Sequence, residues 1–295
     1  MYTLTRMYHF ETNKKLERVA ESFGAVYIDI RSKSVRIFDL WLFRFRSFLK
    51  IKDRFRVSRM AKKAHKTSLT SDEAVSRLYD AEYGRNNKPN YMYLNALLYR
   101  QNFEFIVGLG KSEIKNLKIL DVGAGINELL RFCHDILGVS SNQLYGSDVS
   151  EASKRIIEKD GFDGYVGRLE NLNLPENYFD LVFLSYFIDY DTNQRATFEG
   201  ALRILRPGGK IILEGLFPSR PNGLLEVDKA KDIFITKGED AAEDISLVCN
   251  AFINISKEQN KKIGVNKIVR ASRYIHNQRG LNKLPSYFIV LTVST

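Results

Sequence analysis

The sequence predicts an α/β fold built on a doubly wound, mostly parallel β-sheet, and two observations support this prediction. From residue 116 onward, short apolar segments that suit strands alternate with segments of helical periodicity, which is the rhythm of a sheet covered by helices on both faces. The first apolar segment runs directly into Asp-x-Gly-x-Gly at residues 121–125. Glycines so closely spaced let the backbone approach a ligand where a Cβ atom would collide.

The elements follow in order along this part of the chain. Strands are predicted near residues 118–122, 143–148, 164–167, 180–185, 209–214, 265–274 and 286–294. Helices are predicted at about residues 127–138, 151–161, 193–205 and 239–258. Two further helices, at residues 70–83 and 91–109, are expected to form a helical cap before the first strand of the sheet.

The glycine loop predicts a cofactor pocket, with Asp121, Gly123 and Gly125 as its residues. A dinucleotide-binding fold requires a third glycine three residues after the second, and Glu128 stands there. A nicotinamide cofactor is therefore disfavoured.

A second acid supports a nucleoside cofactor of another kind. The apolar segment at residues 144–148 ends in Asp148, which follows the glycine loop at roughly 20 residues, the spacing of a ribose-binding carboxylate. Such a carboxylate can accept hydrogen bonds from both ribose hydroxyls.

The glycine loop and Asp148 are followed by further motifs at residues 167–172, 178–183 and 205–214. In this order the motifs resemble those of the class I S-adenosylmethionine-dependent methyltransferases, and in particular of the type 11 group that modifies small molecules and glycans. The resemblance covers residues 116–295. It implies a Rossmann-like sheet of seven strands with the last one antiparallel, S-adenosylmethionine as cofactor, and a small metabolite or glycan intermediate that is methylated on oxygen or nitrogen.

The resemblance also assigns roles on the cofactor side. It implies that the loop from Gly123 to Gly125 faces the methionyl group. Many relatives have an aspartate where Arg168 stands, so the adenine contact is expected from the backbone of Leu169 or from Glu170. Arg168 itself either stacks on adenine or is a solvent-facing loop cation. Ser185, at the end of the fourth strand of this part, is placed with the cofactor.

The acceptor side is expected just beyond that strand. Many relatives carry histidines where Asp189 and Tyr190 stand, so these two residues are candidates to take the acceptor's proton. Asp189 could instead cap the following helix. His276 is a third candidate, with an exposed loop histidine as its alternative.

The N-terminal part differs in charge and pattern from the rest. The chain has a net charge of +10, and residues 1–66 hold 17 Lys and Arg against 6 Asp and Glu. A hairpin is predicted from residues 25–30 and 35–38, and from residue 43 to residue 57 apolar and basic residues alternate. The chain is therefore divided into a basic α+β extension (1–66), a helical cap or lid (67–115) and a methyltransferase domain (116–295).

Three functions are open for the basic segment at residues 35–66: a half-buried strand with a solvated cationic face, a peripheral contact with an anionic membrane, or nucleic-acid binding. A nucleic-acid (RNA) methyltransferase is accordingly an alternative function. A non-catalytic cofactor-binding scaffold is the other alternative.

The low cysteine content argues against a metal site. Only Cys133 and Cys249 occur, far apart in sequence, which disfavours a zinc site or a disulfide framework and fits a reducing cytoplasm. With no apolar run long enough to span a bilayer, the protein is expected to be cytoplasmic and soluble, or peripheral to a membrane.

Overall fold

We describe a computed structural model of the chain, whose described residues are 14–29, 103, 106–185, 193–215, 241–277 and 280–294. The basic segment at residues 35–66, the second arm of the predicted hairpin, the predicted helix at residues 70–83 and most of the one at 91–109 lie outside these residues, and so does the predicted boundary at residue 66. The described residues fall into two compact units. The first comprises those within 1–29, 173–271 and 286–295, and the second those within 30–172 and 272–285.

The described helices and strands are named in chain order. The strands are β1 (Val26–Asp29), β2 (Ile119–Val122), β3 (Leu144–Asp148), β4 (Asp163–Val166), β5 (Phe179–Ser185), β6 (Leu205–Gly215), β7 (Ile263–Asn277) and β8 (Gly280–Val293). The helices are α1 (residues 14–22), α2 (Lys111–Ile114), α3 (Glu128–Phe132), α4 (Glu151–Lys159), α5 (Gln194–Ile204) and α6 (Ala241–Glu258).

The second unit is built on three parallel strands in the order β2-β3-β4. Ile119 and Leu120 of β2 are fully buried, as the apolar pattern predicts. Helix α4 packs closely on β3, because a Cβ atom added at Gly146 would lie 2.7 Å from Cδ1 of Ile157. The glycine in β3 therefore sets the close approach of helix and sheet.

The first unit has five strands in the order β1-β7-β8-β6-β5. Strand β5 pairs parallel with β6, and β6 pairs antiparallel with β8, so the predicted antiparallel last strand is confirmed. Helices α5 and α6 pack through the stacked rings of Phe198 and Phe252, whose centroids are 3.8 Å apart. The predicted fold class, a mostly parallel α/β sheet, is confirmed.

Several boundaries differ from the prediction; β8, for example, begins at Gly280 rather than at residue 286. Strand β6 begins at Leu205 rather than near residue 209, because Leu205 already pairs with Phe179 before a register shift. Gly209 is needed in this bulged segment, since a Cβ atom there would lie 2.8 Å from Leu205 Cγ and 2.9 Å from the Arg206 carbonyl oxygen. The predicted helix at 127–138 is α3 followed by a π-helical turn, Cys133–Leu137.

Strand β1 corresponds to the predicted first arm of the hairpin, residues 25–30, and it joins the sheet of the first unit. It pairs parallel with β7, and its Asp29 lies opposite Arg270. Arg270 is 3% exposed, hydrogen-bonds the Tyr27 side chain and lies over the Tyr287 ring, with Cζ 5.8 Å from the ring centroid. A buried guanidinium therefore fastens the N-terminal strand to β7.

None of the helices within the described ranges is both long and apolar enough to cross a membrane.

Both cysteines are free and buried, and their burial makes the stability of the fold sensitive to alkaline pH. Burial raises the pKa of the Cys249 thiol to about 12. Burial also raises the pKa of the Cys133 thiol, and the nearby negative charge of Asp121 makes a smaller contribution in the same direction. Above ~8.5, the ordinary thiol pKa, the unfolded chain releases protons that the folded chain retains.

We therefore expect the free energy of unfolding to fall as pH rises from ~8.5 towards about 12, by up to ~1.4 kcal/mol per pH unit for each thiol. Urea unfolding at a series of alkaline pH values measures this. The Cys249→Ala variant should show a shallower fall than the wild-type protein. An equally steep fall in a variant that lacks both thiols would contradict the assignment.

Candidate functional site

The turn after β2 is shaped by its two glycines. Gly123 and Gly125 have positive φ angles of 77° and 56°, a conformation that glycine adopts without the steric cost of a Cβ atom. The amides of Gly123 and Ala124 donate to the Ser147 carbonyl oxygen at 2.8 and 3.0 Å. These bonds tie the turn to the end of β3, the next strand.

Asp148, the last residue of β3, is brought directly against this turn. It is 8% exposed. Its Oδ2 accepts a hydrogen bond from the Gly125 amide at 2.9 Å, and its Oδ1 accepts one from the Ser150 amide, also at 2.9 Å. The structure therefore joins two of the predicted cofactor residues, Gly125 and Asp148, through a charge-assisted hydrogen bond.

The carbonyl group of Gly125 is also fixed by a hydrogen bond. Its carbonyl oxygen accepts a hydrogen bond from Ser153 Oγ at 2.6 Å. Ser150 caps α4, because its side chain accepts from the Ser153 amide at 3.2 Å. The role of Ser153 was not predicted from the sequence. The one available signal was Ser150, a favoured residue type at a helix N-terminus.

Asn127 is a further residue whose role was not predicted from the sequence. It is fully buried, begins α3 and has a left-handed φ of 66°. Its Nδ2 donates to Asp160 Oδ2 at 3.0 Å, and Arg131 Nη2 donates to Asp160 Oδ1 at 2.7 Å. Asparagine tolerates the left-handed conformation better than most residues, which was the only signal in the sequence.

We expect Asn127→Ala to destabilise the protein by about 2–4 kcal/mol, since it removes the bond to Asp160 and adds left-handed strain. Asn127→Gly is the matched control, because it also removes the amide but adopts the left-handed conformation freely. It should be less destabilising by about 1 kcal/mol. Urea unfolding compares the two, and equal losses would show that residue 127 does not keep this conformation.

The residues predicted to contact the adenine of the cofactor follow β4, where the chain forms a 3₁₀ turn at Leu169–Asn171. Leu169 is 1% exposed. Arg168 and Glu170 form an ion pair with Nη1 and Oε1 3.9 Å apart, and their side chains are 17% and 16% exposed. Arg168 is thus largely covered and paired with the neighbouring acid, which argues against the solvent-facing alternative. Contact of these residues with adenine stays a prediction.

The buried Asp121 lies beside the glycine turn in the same unit. It is 4% exposed, and its charge contributes to the raised pKa of Cys133 on the π-helical turn. A negative charge therefore lies near the glycine turn, and its contact with the cofactor stays a prediction.

The predicted residues of the acceptor side are described only in part. Ser185 is the last residue of β5 and lies opposite Glu214 of β6. Asp189 and Tyr190 lie outside the described residues. The backbone of His276 belongs to β7, but its side chain is not among those described. Their proposed roles stay predictions.

No group of three or more His, Cys, Asp or Glu residues that could hold a metal ion occurs in the described part of the chain.

Comparisons with known proteins find a methyltransferase domain in part of the chain. A family model described as "Methyltransferase domain" matches residues 120–213, which run from β2 into β6. The ubiquinone/menaquinone biosynthesis C-methyltransferase UbiE of Shewanella pealeana is 29% identical over 105 residues, which are 33% of this chain and 41% of that protein. An uncharacterized protein of Methanocaldococcus jannaschii is 25% identical over 119 residues, 40% of this chain and 52% of that protein.

Among solved structures, a SAM-dependent methyltransferase from Methanosarcina mazei matches with a TM-score of 0.41 and 15% identity, covering 61% of this chain and 93% of that one. The chain spans less than half the length of the Shewanella relative. Residues 120–213 of the chain carry a methyltransferase domain.

The described residues fit S-adenosylmethionine. Asp148 is a carboxylate of the kind that accepts hydrogen bonds from ribose hydroxyls. The two positive-φ glycines present backbone without side chains at the turn. Asp121 holds a negative charge near the loop, which suits the cationic methionyl end of the cofactor.

Proposed function

We propose that this protein transfers a methyl group from S-adenosylmethionine to an oxygen of a small metabolite or glycan intermediate, with nitrogen as the second choice of acceptor atom. The observation that carries the cofactor half of this proposal is the hydrogen bond between Asp148 and the Gly125 amide. One carboxylate orders the glycine loop and occupies the position from which the ribose would be bound.

This proposal gives the described residues the following roles in cofactor binding. Asp148 binds the ribose, the backbone at Gly123 and Gly125 receives the methionyl group, and Leu169 with its neighbours flanks the adenine. When bound, the cofactor supplies a methyl group already activated by its sulfonium. The protein therefore mainly has to align the acceptor, and few strictly catalytic side chains are required.

The acceptor half rests on the residues after β5. We assign Asp189 or Tyr190, and secondarily His276, as the group that takes or orients the acceptor's proton. A hydroxyl or amine acceptor loses its proton during methyl transfer, so a base beside it lowers the barrier.

A carbon acceptor is a second candidate, and the similarity to UbiE favours it, since that relative is named a C-methyltransferase. Carbon methylation also needs an acceptor whose proton can be removed. Both candidates share the cofactor site and differ only in the atom that receives the methyl group.

Methyl transfer is tested with S-adenosylmethionine carrying carbon-13 in its methyl group and a panel of alcohols, phenols, amines and hydroquinones. The carbon-13 chemical shift of the product tells an O-methyl from an N-methyl or C-methyl group. RNA is offered in a parallel assay, and transfer of the label to RNA instead of to a small molecule would favour the nucleic-acid alternative. Cofactor binding with no labelled product across the panel would favour a scaffold.

A further inference from the structure

The two peptide groups on either side of Gly125 are held by different partners. The Gly125 amide donates to Asp148 Oδ2 at 2.9 Å, and the Gly125 carbonyl oxygen accepts from Ser153 Oγ at 2.6 Å. Gly125 has a positive φ of 56°, and glycine alone would leave both peptide groups free to rotate. The two hydrogen bonds therefore set the orientation of the turn.

Ser153 belongs to a closed ring of hydrogen bonds. Ser150, which caps α4, and Ser153, in the first turn of that helix, are both fully buried. The Ser153 amide donates to Ser150 Oγ at 3.2 Å, and the Ser150 amide donates to Asp148 Oδ1 at 2.9 Å. With the two bonds at Gly125 these contacts close the ring, and hydrogen bonds in one network strengthen each other. The ring links the start of α4 to the glycine turn.

The contact with Ser153 also directs the amide that follows Gly125. No cis peptide bond occurs among the described residues. The Gly125 carbonyl and the Ile126 N–H share one planar trans peptide group, so they point in opposite directions. Because the carbonyl points to Ser153, the Ile126 N–H points away from the first turn of α4.

The Ile126 amide is a hydrogen-bond donor that lacks an acceptor in the turn. Ile126 is 5% exposed, and within the described part of the chain its amide donates to no acceptor. The neighbouring amides of Ala124, Gly125 and Asn127 all have acceptors. Burying an amide without an acceptor costs about 1–3 kcal/mol, so an acceptor supplied by a ligand would be favourable here.

The part of the cofactor expected at this turn carries two charges. Its amino group is positive, and the negative charge of Asp121 near the turn suits it. Its carboxylate is negative and requires a hydrogen-bond donor. A backbone amide is well suited to this task, since a charge-assisted hydrogen bond is about twice as strong as a neutral one.

We propose that the Ile126 amide receives the carboxylate of the cofactor's methionyl group, and that Ser153 is the positioning residue that holds this amide in place through the Gly125 carbonyl. The inference rests on the proposed function and deepens it, because it gives the orientation of the methionyl group. Ser153 itself does not contact the cofactor. A compound that keeps the adenosyl and sulfonium groups but lacks the carboxylate loses this hydrogen bond.

The test compares two ligands that differ by this carboxylate alone. Decarboxylated S-adenosylmethionine keeps the adenosyl group, the sulfonium and the amine. The ratio of its dissociation constant to that of S-adenosylmethionine, both from isothermal titration calorimetry, measures what the carboxylate contributes to binding. We expect the wild-type protein to bind S-adenosylmethionine more tightly.

Ser153→Ala should reduce this preference by about 3- to 10-fold, with the affinity for the decarboxylated compound unchanged. A residue that only stabilised the fold would affect both ligands alike. Ser147→Ala is the matched control, since it removes a buried hydroxyl of the same unit whose Oγ has no hydrogen-bond partner within the described residues. It keeps the Ser147 carbonyl that the turn uses, and it should leave the preference intact.

A spectroscopic measurement on the wild-type protein locates the contact directly. With isoleucine labelled by nitrogen-15, the Ile126 amide signal is the one that is lost in Ile126→Val. A hydrogen bond to a carboxylate moves the signal of an amide proton downfield. S-adenosylmethionine should therefore move the Ile126 signal downfield, and the decarboxylated compound should not.

Equal losses of affinity for the two ligands in Ser153→Ala, or no loss for either, overturn the inference and leave the proposed function standing. An Ile126 signal that responds alike to both ligands also overturns it, and this measurement decides if Ser153→Ala does not fold. Failure of the wild-type protein to bind either ligand overturns the proposed function itself.

Discussion

Replacement of Asp148 by alanine is expected to abolish binding of S-adenosylmethionine at ordinary concentrations. The substitution removes the proposed partner of two ribose hydroxyls, and hydrogen bonds to a charged group contribute about 1.5–3 kcal/mol each. It also releases the Gly125 amide from Asp148 Oδ2. Together these losses correspond to a rise in the dissociation constant of about 10²- to 10⁴-fold, which isothermal titration calorimetry measures.

Two controls separate the roles of this carboxylate. Asp135→Asn removes a negative charge from an exposed position of the same unit and should leave affinity unchanged. Ser153→Ala removes the bond to the Gly125 carbonyl oxygen but keeps Asp148, so only a loss of about tenfold or less is expected. If Ser153→Ala weakened binding as much as Asp148→Ala, the ordering of the loop and not the ribose contact would explain the effect.

Replacement of Arg270 by alanine is expected to cause the largest loss of stability, about 3–5 kcal/mol, because it removes a buried guanidinium and leaves the hydrogen-bonding group of Tyr27 behind. Arg270 is 3% exposed, lies opposite Asp29 in the β1–β7 ladder and hydrogen-bonds Tyr27. Urea unfolding gives the free energy. Hydrogen exchange at residues 26–29 shows whether β1 is released.

Graded substitutions test the cause of this loss. Arg270→Lys keeps the charge but not the planar group, and should have an intermediate effect. Tyr27→Phe removes one hydroxyl and should cost about 1 kcal/mol. Lys262→Ala, at an exposed position just before β7, is the control for loss of a cation. A cost below about 1 kcal/mol for Arg270→Ala would mean that the guanidinium does not hold β1 in place.

The parallel core of the fold could be predicted because its signals are local. Strands β2, β3 and β5 contain short apolar runs next to glycine or acidic turns, and Asp148 follows the glycine loop at a defined spacing. The position of β1 beside β7 could not be predicted, because the two strands are far apart in the sequence and Asp29 lies opposite Arg270 only in the folded ladder. An arginine within a strand is ordinarily assigned to an exposed face.

In the candidate site, too, some residues could be predicted from the sequence and others could not. Gly123, Gly125 and Asp148 are recognisable from residue type and spacing. Asn127 and Ser153 are not, because each acquires its role from a partner on another element: Asp160 and the Gly125 carbonyl oxygen. A single asparagine or serine has no periodicity that marks it in the sequence.

A crystal structure of the protein with S-adenosylhomocysteine tests the central claim most directly, because it locates the ribose. We expect both ribose hydroxyl oxygens within hydrogen-bonding distance, about 2.5–3.0 Å, of the Asp148 carboxylate, and the amino-acid end of the ligand against the turn at Gly123 and Gly125. A nucleoside bound elsewhere, with Asp148 contacting only the protein backbone, would contradict the account.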